Sequence, residues 1–345
     1  IALIVLRRKK MDSKGIHNIE DTKIDAVFKT ANGIARIVGR DKAIINLKNK
    51  IKQIAKSKAT VMILGESGTG KELIARAIHE ESQRKNGQFI PVDCSTLTET
   101  IIESELFGHI KGAFTGADKN KKGLIEEAHG GTIFLDEIGN LKPNIQSKLL
   151  RFLQEREIKP VGSSKTVKVD VRIISATNIN VEEEITQGNF REDLYYRLSG
   201  IELTIVPLRQ RIDDIPLLVE HFIAFYSGDL DKDIQTASDD ALEILMKREW
   251  KGNVRELQHI VEHAMIIEET SVLSKDTIIQ ILPEYKQSVN HELSPLNLEK
   301  AVEAFEKKHI QYVLKLSHNN RSKTAKTLGI SRSVLYEKLK KYGIH

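Results

Sequence analysis

Two short strings in this 345-residue chain have the composition of a phosphate site. The first, Gly65-Glu66-Ser67-Gly68-Thr69-Gly70-Lys71-Glu72, sets glycines ahead of a lysine. A glycine-rich backbone can curl until its N–H groups point at phosphate oxygens, and a helix starting there adds positive potential. Lys71 can then reach the β- and γ-phosphates. The second string, Gly130-Gly131-Thr132-Ile133-Phe134-Leu135-Asp136-Glu137, is an apolar run closing on two carboxylates. Asp136 suits the organisation of Mg2+, and Glu137 suits orienting or deprotonating an attacking water. A glycine turn or an acidic helix cap explains either string alone. Together and in this order they point to hydrolysis of a nucleoside triphosphate. The eighth position of the first string is Glu72, where the general motif has Ser or Thr, so the metal would rely more on Asp136 and water.

These strings need a scaffold that ends strands next to one another. Thr60 to Leu64 reads as a buried strand leading into the glycine turn, and Glu72 to Glu81 as a helix with Leu73, Ile74, Ala77 and Ile78 on its apolar face. Phe89–Val92 and Thr132–Leu135 read as further strands, Val169–Ile174 opens a fourth, and 145–155 is helical. Ile44, Leu47, Ile51 and Ile54 recur at helical spacing. Strands alternating with helices predict an α/β fold with a parallel sheet covered on both faces. After Pro207 the strand patterns stop. Segments 215–226, 239–248, 254–268 and 275–281 read as helices, a small helical domain. The stretch 283–295 carries two prolines and reads as a hinge, and 298–344 is helical again.

Composition bounds the class. With 40% hydrophobic and 29% charged residues the chain can bury a sizeable core and is not a low-complexity polymer. The single Cys94 excludes an internal disulfide and fits a reducing cytoplasm. No apolar run reaches the ~18 residues of a complete membrane helix. The first residue is Ile1, which points to a longer protein. Ile1–Leu6, followed by Arg7-Arg8-Lys9-Lys10, has two readings: the last strand of an upstream domain, or the cytoplasmic end of a membrane helix. Residues 11–31 read as linker. The net charge of +5 is unevenly spread: Glu299 to His345 holds eleven Lys/Arg and four Asp/Glu, leaving the rest slightly acidic. A basic excess confined to the tail fits nucleic-acid contact by that part alone.

A third string lies between the first two. Gly112-Ala113-Phe114-Thr115-Gly116-Ala117 would bury almost nothing as core, and reads as a mobile tip with an exposed aromatic anchor at Phe114 and a hydroxyl at Thr115. In order, the three strings resemble the bacterial enhancer-binding activators of sigma-54 RNA polymerase, a branch of the AAA+ ATPases. The resemblance covers 34–344 and implies the roles that follow. ATP would be the nucleotide, cradled by Gly65, Glu66, Ser67, Gly68, Thr69, Gly70, Lys71 and Glu72. Asn178, closing Ser175-Ala176-Thr177-Asn178, would sense the γ-phosphate. Arg191 and Arg197 would act on a neighbour's nucleotide within a homo-oligomeric ring, six-membered by family expectation. Arg255, in Trp250-Lys251-Gly252-Asn253-Val254-Arg255, would sense nucleotide from the lid. The Gly112–Ala117 loop would contact sigma-54, with Pro160–Ser164 as a supporting insertion.

The chain departs from the family pattern at Lys251 (usually Pro), Ile110 (usually Glu) and Asp93 (often Asn, holding the catalytic glutamate). Asp93 cannot donate an amide hydrogen bond to Glu137, and two charged carboxylates would repel. Near the end, Asn320 to Ser331 resembles a Fis-type helix-turn-helix. Ala325 permits close helix approach, Gly329 fits the turn and Ser331 caps the next helix. That helix would turn Val334, Leu335 and Leu339 inward. Arg332, Ser333, Tyr336 and Lys340 would remain for the major groove of double-stranded DNA, and Arg321 and Ser322 for a phosphate. The implied domains are 34–207 (ATPase), 208–283 (lid), 284–296 (linker) and 297–345 (DNA reader), after the end of an upstream domain at 1–33. The implied function is an ATP-driven activator that remodels a closed promoter complex to an open one. A DNA-binding regulator with weak ATPase serving other sigma factors, and a generic AAA+ remodelling machine, stand as alternatives. The intact Gly112–Ala117 string and the helix-turn-helix weigh against both.

Overall fold

The structure, a computed structural model, describes residues 33–95, 99–230, 232–282, 298–317 and 320–344. The expectations for 1–32 and for the hinge at 283–295 lie outside the described residues. The chain divides into two compact units, Ile1–Ile278 and Ile279–His345.

The first unit is built on five parallel strands in the order β2-β5-β8-β1-β9: β1 (Val61–Leu64), β2 (Phe89–Asp93), β5 (Thr132–Asp136), β8 (Arg172–Thr177) and β9 (Ile201–Thr204). The inner strands are buried on both faces because both are covered; every residue of β8 is buried. β2 lies at an edge, where Pro91 forfeits no inward ladder bond. On one face pack α1 (Lys42–Ala55) and α2 (Lys71–Glu80), with Ile44, Leu47, Ile51 and Ile54 buried as their spacing predicts. On the other pack α3 (Glu99–Phe107), α5 (Pro143–Glu155) and α7 (Glu192–Leu198). Arg172 opens β8 from within the core. Its guanidinium donates to Ile54 O and Ala55 O (2.9 and 3.0 Å), satisfying carbonyls that end α1.

Two expectations are corrected. The fourth strand begins at Arg172; Val169 and Val171 are buried ahead of it. A fifth strand, β9, follows at the sheet edge beside β1. The sheet core is joined by two small hairpins, β3 (Gly108–His109) with β4 (Lys121–Lys122), and β6 (Glu157–Ile158) with β7 (Val167–Lys168). Short helices α4 (Leu124–Glu127) and α6 (Val181–Thr186) complete this part.

The helical part comprises α8 (Ile215–Leu230), α9 (Asp239–Met246), α10 (Asn253–Ile267) and α11 (Lys275–Ile281). Strands do not stop at Pro207: β10 (Thr236–Ala237) and β11 (Val272–Leu273) form a two-residue parallel pair here. Below it the Glu268 carboxylate accepts from Ser274 N and Thr277 Oγ1, both at 2.8 Å. Burial pushes this carboxyl up, but the bonds from Ser274, Thr277 and Thr270 outweigh it and hold it at about 2.

The second unit holds α12 (Leu298–Leu316), α13 (Arg321–Thr327) and α14 (Arg332–Tyr342) around Ile310, Leu314, Ala325, Leu335 and Leu339. Asn320 caps α13 and Ser331 caps α14, and Gly329 turns between them at φ +67°. No helix among the described residues is long and apolar enough to cross a membrane.

Candidate functional site

β1, β8 and β5 are neighbours, so Leu64, Thr177 and Asp136 end side by side at the carboxyl edge of the sheet. Past β1 the chain curls through Gly68 and Gly70, both at positive φ, and enters α2 at Lys71. Gly68 is required twice over, since a β-carbon there would also collide with Gly252 O. The Lys71 side chain is buried; its Nζ donates to Gly65 O (3.1 Å) and Glu137 Oε1 (3.0 Å). Thr69 Oγ1 braces the turn by donating to Glu66 O at 2.8 Å. Asp136 Oδ1 accepts from Glu137 N at 3.0 Å. Burial raises the Asp136 carboxyl, against the pull of Lys71 and with the push of Glu137. Glu137 sits at φ +52°, a strained conformation for a non-glycine residue, which aims its carboxylate back at Lys71. Its Oε2 accepts from Asn178 N at 3.3 Å.

Lys71, Asp136, Glu137 and Asn178 therefore converge, with Asn178 engaged through its main chain. Glu72 stands apart: its Oε1 accepts from Arg76 Nε and Nη2 (2.9 and 2.7 Å) on the exposed side of α2. Asp93 is the register partner of Asp136, yet its Oδ1 is occupied by Ser95 N and Oγ (2.8 and 2.6 Å). It acts on the site through its charge, which adds to the upward push on Asp136.

The lid closes on the same loop. Arg255 N donates to Gly68 O (3.2 Å), and its guanidinium stands 3.5 Å from Ser67 Oγ. Trp250 is buried and donates from Nε1 to Leu245 O at 2.8 Å, anchoring the turn that carries the exposed Lys251. Beside Gly70, a small cavity is lined by Ile37, Val38, Leu73, His221 and Phe222. A small, mostly apolar cavity next to a phosphate loop suits a nucleobase. Sequence reasoning missed it because its walls come from separate segments that share no motif.

Arg191 caps α7 and Arg197 lies in its last turn, both on the surface. Arg191 is tied to Asp193 (2.9 and 2.7 Å) and reaches Ser147 Oγ at 3.4 Å. The Arg197 guanidinium is exposed and makes no hydrogen bond within the described residues, although its carbonyl accepts from Thr60 Oγ1.

The Gly112–Ala117 loop is a tight turn, with Gly112 N donating to Ala117 O (2.9 Å) and Ala117 N to Phe114 O (3.1 Å). Gly112, Thr115 and Gly116 are exposed, Ala113 is half-buried and Ala117 buried. Phe114 is not the freely exposed aromatic expected: it is half-buried, its ring edge-on to His109 at 5.0 Å. His109 in turn shares a hydrogen bond with Ser104 Oγ (2.7 Å), so a small stack roots the tip in α3. The second insertion lies alongside, through Ile110 N to Val161 O (3.1 Å) and Val161 N to Gly108 O (2.8 Å). Ile110 is partly exposed and braces the loop by its main chain.

In the second unit Leu335 and Leu339 face inward, but Val334 is exposed, a correction. Arg332, Ser333 and Lys340 are exposed on α14, and Ser322 on α13. Arg321 and Tyr336 are exposed but not independent: the guanidinium lies 5.2 Å from the ring centroid.

Residues 37–204 match the sigma-54 interaction domain, 209–294 the AAA+ ATPase lid domain, and 301–342 the bacterial regulatory proteins of the Fis family. The regulatory protein AtoC of Escherichia coli is 45% identical over 312 residues, 89% of this chain and 68% of AtoC. The chain belongs to the sigma-54-dependent transcriptional regulators. Two other relatives of this regulator are the nitrogen fixation protein AnfA of Azotobacter vinelandii, 44% identical over 92% of this chain and 58% of AnfA, and ZraR of Salmonella typhimurium, 42% identical over 88% and 68%. The regulator thus spans 58–68% of the length of these three proteins. A crystal structure of NtrX from Brucella abortus in complex with ADP superimposes with a TM-score of 0.68 at 36% identity, over 99% of the regulator and 76% of that chain.

Proposed function

We propose that this regulator binds upstream DNA through its C-terminal helices, hydrolyses Mg-ATP in a ring of identical chains, and uses that hydrolysis to open a closed sigma-54 promoter complex. The observation that carries the reading is the convergence of Lys71, Asp136 and Glu137 at the end of the sheet, with the Phe114 loop rooted in α3 on one face of that sheet. Lys71 would exchange Glu137 for the γ-phosphate. Glu137, released, would take the proton of the attacking water, and Asn178 would hold the water or phosphate in place. The cavity beside Gly70 would take the adenine ring, and Arg255 would report the phosphates to the lid.

The donor set fits magnesium. Among the described residues no three acidic or His/Cys side chains form a metal cage. One carboxylate, Asp136, made costly by burial, suits an ion that keeps waters and takes phosphate oxygens for its other ligands. When bound, Mg2+ would neutralise charge developing on the phosphates.

A guanidinium is still needed to meet charge developing on the γ-phosphate. Arg197, exposed and unengaged, suits donation to a neighbour's site, with Arg191 beside it. Six chains would close the ring. The domain division is 34–207, 208–283, 284–296 and 297–345, and a cytoplasmic setting suits a chain whose one cysteine is buried and reduced. The test is a defined transcription assay: with ATP, the protein should open a sigma-54 promoter and leave promoters of other sigma factors unaffected. Activation without ATP, or of the other promoters, would contradict the proposal.

A further inference from the structure

The outer turn of the phosphate loop carries a carboxylate, the wrong sign for a polyphosphate site. Both Glu66 oxygens are taken by the fork of Arg209, at 2.7 and 2.6 Å. One is shared with Asn253 Nδ2 at 3.1 Å. The Arg209 bond and then the Asn253 bond hold this carboxyl at about 2, so it stays charged at neutral pH. Neither partner belongs to the phosphate loop. Arg209 stands on the 3-10 turn Leu208–Gln210, where the chain passes into the lid, and Asn253 opens α10.

Asn253 is fully buried at φ +52°. Its Oδ1 accepts from Leu208 N (2.8 Å), while Nδ2 also donates to Ser67 O (3.0 Å). Adding the Arg255 bond to Gly68 O, three successive loop residues, 66 to 68, are each held by the lid.

We propose that Arg209 is the counter-charge that makes Glu66 compatible with a bound polyphosphate, and that Asn253 is a positioning residue locking the pair to the lid. A lid that swings away would withdraw Arg209 and bare Glu66 beside the phosphates. The same carboxylate that is neutralised under a closed lid would then drive nucleotide release. The proposal rests on the nucleotide-binding reading above.

The test measures affinity of the full chain for N-methylanthraniloyl-ATP in Arg209→Ala, Glu66→Gln and the double variant, with thermal melting as a check on folding. The Glu66 and Arg209 side chains are roughly two-fifths exposed, so these changes should leave the fold intact. Arg209→Ala should weaken binding by about fivefold at low salt, the effect of one uncompensated charge near the surface. The deficit should shrink near 1 M salt, where the Debye length falls to ~3 Å. The double variant should return to within about twofold of Glu66→Gln, since removing the carboxylate removes the need for its counter-charge. If Arg209 serves only as a structural strut, Glu66→Gln will not rescue its loss. A parent that binds the probe, with Arg209→Ala binding equally well or the double variant no better than Arg209→Ala, overturns the proposal alone. A parent that takes up no probe overturns the nucleotide reading and this proposal with it.

Discussion

Glu137→Gln isolates the chemical step from binding. The substitution keeps side-chain volume, and glutamine meets the positive φ at no greater cost than glutamate. It removes the negative partner 3.0 Å from Lys71 Nζ, while its amide oxygen can still accept from Asn178 N. It cannot accept a proton from water. Loss of a positioned general base costs about 10²–10⁴ in rate, or roughly 3–5 kcal/mol of activation free energy. Binding should move the other way. Lys71 no longer has to leave an ion pair to reach the phosphate, and a carboxylate next to the γ-phosphate is gone. Affinity should hold or tighten, because the cost of separating a largely buried ion pair is removed. Phosphate release and fluorescent-ATP binding should be read on one preparation at full assembly. Hydrolysis at the parental rate would remove Glu137 from the chemistry. Loss of binding in step with hydrolysis would mean that Glu137 builds the cradle instead of acting in it.

Mixing Arg197→Ala with Lys71→Ala chains, each nearly inactive alone, should restore some hydrolysis, because each lacks a different half of a shared site; no rescue at any ratio would contradict donation across chains. Arg332→Ala should relax DNA sequence preference at a cost of about 1–3 kcal/mol if it makes a bidentate base contact, read by footprinting on matched and mismatched sites. His79 is buried with Nδ1 2.9 Å from Thr132 Oγ1, and burial lowers its pKa below 6.5. The unfolded chain therefore binds the proton first, and stability should fall as pH drops below ~6.5, by at most ~1.4 kcal/mol per pH unit from this group. His79→Gln should flatten that part of the melting profile, and an unchanged slope would place the dependence elsewhere.

The parts of the fold legible in the sequence are those written in local pattern. The 3.6-residue recurrence of Ile44, Leu47, Ile51 and Ile54 predicts α1, and the glycine turn fixes where β1 ends and α2 starts. β9 carried a usable signal: Ile201, Leu203 and Ile205 alternate with polar Glu202 and Thr204, the pattern of a half-covered edge strand. β10 and β11 carried none, because two residues are too few for any period. At the site, residue identities were readable but partnerships were not. Glu72 turns to Arg76, Phe114 leans on His109, and Val334 faces outward because a three-helix unit has room for only part of the apolar set. The cavity beside Gly70 and the Glu66–Arg209–Asn253 contacts join residues more than 140 positions apart, which no local pattern encodes.

If the hydrolytic site and the partner surface are separate parts joined by the fold, Thr115→Ala should uncouple them. Thr115 is exposed at the tip of the Gly112–Ala117 turn, and no hydrogen bond ties its side chain to the phosphate loop. Hydrolysis and sigma-54 promoter opening should be measured together on the variant. ATP binding should stay intact, hydrolysis should be largely kept and open complexes should be lost. Full promoter opening by Thr115→Ala, or loss of hydrolysis along with opening, would show that the two parts are not separate in this way.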